Sequence, residues 1–209
     1  ASLQLRDTEF ADVHPRVLKW REKSNATGRK WALSVDEPGK ANIALLPDDE
    51  DPEHNLARSR AMWGTLMAGG FGVEWYFGYA SPNSDLTCED FRSRDLFWDQ
   101  NRHALNFFKK HIPFWKMEPA DELVEGNMTY CLAQKGNTYA IYLPMESETS
   151  RINLGDSGQE FLIQWYNPRN GGELQEGTIK YAKANGHVSI GYPPTEKSMD
   201  WVVLLTSLK

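Results

Sequence analysis

Two adjacent carboxylates, Asp36 and Glu37, close the run Trp31-Ala32-Leu33-Ser34-Val35-Asp36-Glu37, and Pro38-Gly39 stops it. A strand that delivers a carboxylate to the rim of a parallel sheet is how many (β/α) barrels present a catalytic group. Alternate side chains of a strand share a face, so Trp31, Leu33, Val35 and Glu37 fall on one side and Ala32, Ser34 and Asp36 on the other. The first row is apolar until its last member, which predicts Glu37 held at the mouth of a packed core. The same Asp36-Glu37-Pro38-Gly39 also reads as an acidic, solvated turn, because acidic residues before Pro-Gly are ordinary loop punctuation.

Other reactive residue types form no comparable pattern. The histidines His14, His54, His103, His111 and His187 lack metal-ligand spacing, and His103 and His111, two helical turns apart, cannot chelate one ion directly. Asp48-Asp49-Glu50-Asp51-Pro52 lacks the alternating oxygen ligands and glycine of a calcium loop and reads as solvated surface. Cys88 and Cys131 sit in different expected elements without Cys-x-x-Cys spacing, so free thiols are the default. No metal and no cofactor is expected.

The elements that must position the carboxylates alternate. Ser2-Leu3-Gln4-Leu5 ends a short strand. A helix over 14–24 follows, with Pro15 in its first turn, and Asn25-Ala26-Thr27-Gly28 stops it. After the strand at 31–37 comes a helix over about 55–68, with Leu56, Ser59, Met62, Trp63, Leu66 and Met67 on its inner face and Gly69-Gly70 at its end. Phe71–Phe77 is a third strand. A long helix over about 88–111 places Phe91, Phe97, Trp98, Leu105 and Phe108 inward, and Thr87 with Asp90 resembles a capping box. Strand and helix in strict alternation are the grammar of parallel βα units.

Composition changes near Pro113. Short alternating runs replace helical periodicity: Met128–Ala133, Thr138–Leu143, Arg151–Leu154, Glu160–Asn167, Gly177–Ala182, Val188–Gly191 and Trp201–Thr206. Turn signals such as Lys135-Gly136-Asn137, Asn185-Gly186 and Pro193-Pro194 divide them, which predicts an antiparallel sandwich. The expected fold is therefore α/β plus all-β, with domains at 1–117 and 121–209.

The 209 residues carry a net charge of −6, which argues against a phosphate-backbone binder and hence against a nucleic-acid partner. No apolar run reaches the roughly 18 residues of a membrane span, so no membrane partner is expected. Eight Trp, eight Tyr and nine Phe are the unusual item. Such rings fill cores and also build the flat platforms on which sugars stack.

The segment Ala61-Met62-Trp63-Gly64-Thr65-Leu66-Met67-Ala68-Gly69-Gly70-Phe71-Gly72-Val73-Glu74-Trp75-Tyr76-Phe77-Gly78-Tyr79 resembles the last βα units of a bacterial glycoside-hydrolase-like (β/α) barrel family related to apiosidases. Its pairing with Trp31–Gly39 strengthens the likeness. Tyr139-Ala140-Ile141-Tyr142-Leu143-Pro144 and Trp165-Tyr166-Asn167-Pro168-Arg169 resemble that family's C-terminal β-sandwich, which carries the label "putative collagen-binding domain of a collagenase".

The resemblance implies a partial TIM-barrel segment, with Leu3–Leu5, Trp31–Glu37 and Gly72–Phe77 as strands six, seven and eight. It also implies chemistry. A retaining glycosidase sets two carboxyl groups about 5–5.5 Å apart, one the nucleophile and the other the acid/base. In barrels of this type the nucleophile comes from strand seven and the acid/base from strand four. Glu37 matches the nucleophile position, Asp36 is the lesser candidate, and the acid/base would lie outside this chain. Glu74, on the eighth strand, either points inward as a substrate-orienting group or pairs with an arginine such as Arg92 or Arg94. Trp75 alternates with Glu74, so both cannot face the barrel interior; it packs between sheet and helices or floors a sugar site.

Three βα units cannot close a barrel, so strand edges and half the apolar sheet faces would be bare. At roughly 25 cal/mol per Å², a few hundred Å² of uncovered sheet would forfeit several kcal/mol, comparable with a domain's whole stability. A homo-oligomer formed through the exposed edges is therefore expected. The functions implied are a glycosidase inactive without its other strands, with a carbohydrate substrate in the full-length protein; a non-catalytic carbohydrate- or protein-binding module using Trp165, Tyr166 or Tyr192; or a sandwich that only stabilises the barrel. The resemblance also implies a secreted or periplasmic bacterial protein.

Overall fold

In the computed structural model, residues 1–6, 9–80, 90–147 and 149–208 are described. The chain divides into two compact units, Ala1–Arg102 and His103–Lys209. The division falls inside a helix, Asp95–His111.

The first unit contains three parallel strands, β1 (Ser2–Gln4), β2 (Ser34–Asp36) and β3 (Gly72–Glu74), hydrogen-bonded in chain order β1-β2-β3. Between them lie α1 (Val13–Ala26), a π-helical turn at Ala57–Trp63 and α2 (Gly64–Met67). A 3-10 turn, Phe91–Arg94, leads into α3 (Asp95–His111). Each strand is three residues long, and apolar side chains fill one face of the sheet. Leu3, Val35 and Val73 occupy equivalent register positions and join a cluster with Val13, Val17, Leu33, Ala57, Ala61 and Phe97. Burying that face against helices is what holds three isolated strands together.

Several sequence expectations change here. The second strand is three residues long rather than seven. Trp31 is 47% exposed, and Glu37 adopts φ 51°, so strand alternation ends at Asp36. Glu37 therefore does not continue the buried row of Leu33 and Val35. The apolar sheet face expected to be bare is instead covered by the helices. Asp48, expected in bulk solvent, meets the ring of the fully buried His54 (Asp48 Oδ1 to Nε2, 2.7 Å) and accepts from the Leu96 backbone N–H at 3.0 Å. It thereby satisfies one of the orphan donors in the first turn of α3.

The helix expected over about 88–111 starts at Asp95, and residues 91–94 form the 3-10 segment instead. Asp90 caps that segment, accepting from the Arg92 backbone N–H. Thr87, its supposed capping partner, lies outside the described residues, as does Cys88. Phe97 and Phe108 are buried as expected, whereas Phe91 and Leu105 are exposed. Phe91 belongs to the 3-10 turn, so the α-helical phase that placed it inward does not reach it.

In the second unit all seven predicted runs contain strands, and β4 (Glu118–Pro119) is added at an edge. The others are β5 (Tyr130–Gln134), β6 (Thr138–Leu143), β7 (Arg151–Asn153), β8 (Glu160–Tyr166), β9 (Tyr181–Lys183), β10 (His187–Ser189) and β11 (Trp201–Ser207). A six-stranded antiparallel sheet runs β4-β5-β6-β11-β8-β9, and β7 pairs with β10 in a second, two-stranded sheet. Cys131, Tyr139, Ile141, Ile163, Trp165, Trp201, Val203 and Leu205 point from the large sheet into a core closed by Ile152, Leu154 and Ile190 from the small sheet and its flanks. The arrangement is β-sandwich-like. The opposite face of the large sheet is also apolar, with Tyr142, Tyr166, Val202 and Leu204 buried. Phe107 of α3 packs its ring 5.0 Å from that of Tyr166, and the Tyr166 hydroxyl donates to the His103 carbonyl at 2.8 Å.

Candidate functional site

The parallel register sets Gln4, Asp36 and Glu74 side by side at the C-terminal ends of β1, β2 and β3. Their neighbours Leu3, Val35 and Val73 face the helices, so alternation turns Gln4, Asp36 and Glu74 to the other side of the sheet, together with Ser2 and Ser34. The sheet thus has an apolar helix-covered face and a polar face edged by carboxylates. Asp36 is half-buried and Glu74 exposed. Among the described residues no side chain pairs with either carboxylate; Arg92 instead meets Asp90, and Arg94 donates to the Leu45 carbonyl.

Glu37 reaches the same polar face by a different route. Its backbone N–H continues the ladder to the Glu74 carbonyl at 3.1 Å, and the Gly39 N–H then crosses to the Leu5 carbonyl at 2.8 Å. Between these two bonds Glu37 is left-handed, and Pro38 after it disfavours the right-handed α region. The turn swings the carboxylate to Gln4, whose Nε2 donates to Glu37 Oε2 at 2.7 Å. Glu37 is exposed.

Trp75 sits on the helix side. Its ring meets that of Phe97 edge-on at 4.6 Å, and its Nε1 donates to Asn101 Oδ1 at 3.1 Å. The structure therefore brings Gln4, Asp36, Glu37 and Glu74 together and leaves Trp75 on the opposite face. Gln4 was absent from the sequence-based site. The signal was there: a parallel β1–β2 pair in register puts Gln4 beside Asp36.

In the second unit, Trp165 is fully buried and Tyr166 nearly so, whereas Tyr192 is 39% exposed, with Lys197 Nζ 5.0 Å from its ring centroid. Two of the three aromatics expected at a binding surface are thus core residues. Among the described residues no group of three or more His, Cys, Asp or Glu is arranged to hold a metal ion. Cys131 is a buried free thiol, and burial, with Asp121 and Glu122 nearby, pushes its pKa far up. It is a small apolar core residue rather than a nucleophile. Among the described residues no helix is long and apolar enough to cross a membrane.

Comparison with protein families adds one finding. Residues 119–206, from β4 to the penultimate residue of β11, match the family described as "Putative collagen-binding domain of a collagenase". The match covers less than half of the chain and coincides with the sandwich-like unit, so that unit is similar to a binding module. No curated protein matches the chain.

Proposed function

We propose that this chain is the C-terminal part of a glycoside hydrolase acting on a polysaccharide, with β1–β3 as the last three strands of a (β/α) barrel and Glu37 as nucleophile. The observation that carries this reading is the sheet itself: three parallel strands in chain order, helices on the apolar face, and Asp36, Glu37 and Glu74 grouped at the C-terminal ends of the strands. Barrel enzymes keep their chemistry at that end. In the proposed reaction a Glu37 oxygen attacks the anomeric carbon as the glycosidic bond breaks. An acid/base from a strand beyond these three protonates the leaving oxygen and then activates water. Glu74 orients substrate hydroxyls and Asp36 flanks the nucleophile. Trp75, behind the sheet, has a packing role in this reading.

The test is turnover of aryl glycosides. The isolated chain is expected to be inactive, because the acid/base and the far wall of the cleft are missing. A longer protein that also carries the preceding strands is expected to turn over, and Glu37→Gln to abolish its activity. Activity that survives Glu37→Gln in that protein overturns the nucleophile assignment.

The family match favours a second role for residues 119–206, a non-catalytic module that binds a carbohydrate or a collagen-like protein. Tyr192 with Lys197 and the exposed Tyr181 with Lys180 are the aromatic–cation pairs available at its surface. Retention of the isolated unit on insoluble collagen or polysaccharide, lost in a Tyr192→Ala, Tyr181→Ala double variant, would support this role. Elution in the void under both conditions would leave the unit a structural support. This reading places the protein in the periplasm or outside the cell, where collagen and structural polysaccharides are met.

A further inference from the structure

We infer that Gln4 is a positioning residue for Glu37, and this inference rests on the glycosidase reading above. The Gln4 amide donates to Glu37 Oε2 at 2.7 Å, while Glu37 Oε1 has no protein partner among the described residues. A nucleophilic carboxylate needs that division: one oxygen held, the other open to attack. The bond also spans two strands. Gln4 stands in register with Asp36, and the Glu37 backbone is already fixed through its N–H to Glu74 and its left-handed φ of 51°. Backbone and side chain are therefore anchored from opposite sides, by β3 and by β1. A flexible, exposed glutamate would otherwise sample several rotamers, and an unoriented nucleophile loses much of its effective concentration. A neutral amide suits the task because it orients the carboxylate without cancelling its charge, as a lysine or arginine would.

The inference is tested at two levels. In the 209-residue chain, Glu37→Gln should move the side-chain amide resonances of Gln4, while Asp36→Asn should move them little. A Gln4 amide that ignores Glu37 overturns the inference without any activity measurement. In the longer active protein, Gln4→Met keeps side-chain length but removes the donor. It is expected to lower kcat by about 10²-fold with KM within about twofold, and to leave the melting temperature unchanged. Wild-type kcat in Gln4→Met, alongside an inactive Glu37→Gln, overturns the positioning role while leaving the nucleophile in place. An active Glu37→Gln instead overturns the glycosidase reading itself.

Discussion

Tyr142 of the six-stranded sheet and Asp200, the residue before β11, form a buried pair, the phenol donating to Asp200 Oδ2 at 2.6 Å. Asp200 is fully buried, and Arg169 Nη1 meets its other oxygen at 3.0 Å while Arg169 Nη2 reaches Glu196 at 2.6 Å. A charge removed from water this completely is tolerated only with such partners. Asp200→Ala is therefore expected to destabilise the protein by about 3–5 kcal/mol, the range for breaking a buried ion pair. Tyr142→Phe should cost about 1–3 kcal/mol, because a hydrogen-bonding carboxylate loses one donor. Denaturant melts of the two variants measure both, and a near-neutral Asp200→Ala would contradict the assigned role.

The left-handed backbone at Glu37 carries a local cost that glycine would not bear. Glu37→Gly is expected to raise stability by up to about 1 kcal/mol while removing the carboxylate the proposed chemistry needs. Thermal melts of the isolated chain check the first half. A clear loss of stability would mean that the Gln4 bond outweighs the strain.

His111 lies between Phe107 and Tyr166, with ring centroids 5.8 and 6.0 Å away. Burial there lowers its pKa from the ordinary histidine value; Glu173 opposes the shift and Lys110 adds to it. The folded state thus binds this proton less readily than the unfolded chain. The stability contributed by neutral His111 is complete above the ordinary histidine pKa of about 6.5 and is lost as pH falls through that value towards the lower folded one. His111→Phe should flatten the acid side of a melting-temperature profile relative to wild type, and an unchanged profile would remove His111 as a cause.

The outer edges of β1 and β3 have no strand partner among the described residues. We propose that the isolated chain self-associates through these edges. Sedimentation at micromolar concentration should show at least a dimer, and a Ser2→Pro substitution should weaken it, because Ala1 and Leu5 bond to the β2 side and Ser2 faces the open edge. A clean monomer would mean that three-residue edge strands are too short to recruit a second copy.

The sequence made the second unit largely readable. Thr138–Leu143 is a short run rich in aromatic and aliphatic residues that begins just after the turn signal Lys135-Gly136-Asn137, so its run and the observed β6 coincide, and Trp165, Ile163 and Phe161 mark one face of β8. It did not reveal that the sheet's other face is also buried, because Tyr142 and Tyr166 look like amphipathic surface residues until Phe107 and the Tyr166–His103 bond are seen. At the site, three strands alternating with helices were legible from period and spacing; the grouping of Asp36 with Glu74 was not. Nor was the orientation of Glu37. One positive φ reverses the side chain's face, and period-two reasoning cannot see it. Gln4 escaped because a donor on a neighbouring strand becomes visible only once register is known.

The order β4-β5-β6-β11-β8-β9 places Trp201–Ser207 between β6 and β8, in the middle of the larger sheet. During synthesis, residues 118–166 therefore wait for a keystone made last: β6 and β8 each keep a naked flank until β11 emerges from the ribosome and zips both at once. A chain cut short before Trp201 would carry two sticky strands and no filler, a substrate for chaperones or proteases rather than a smaller working module.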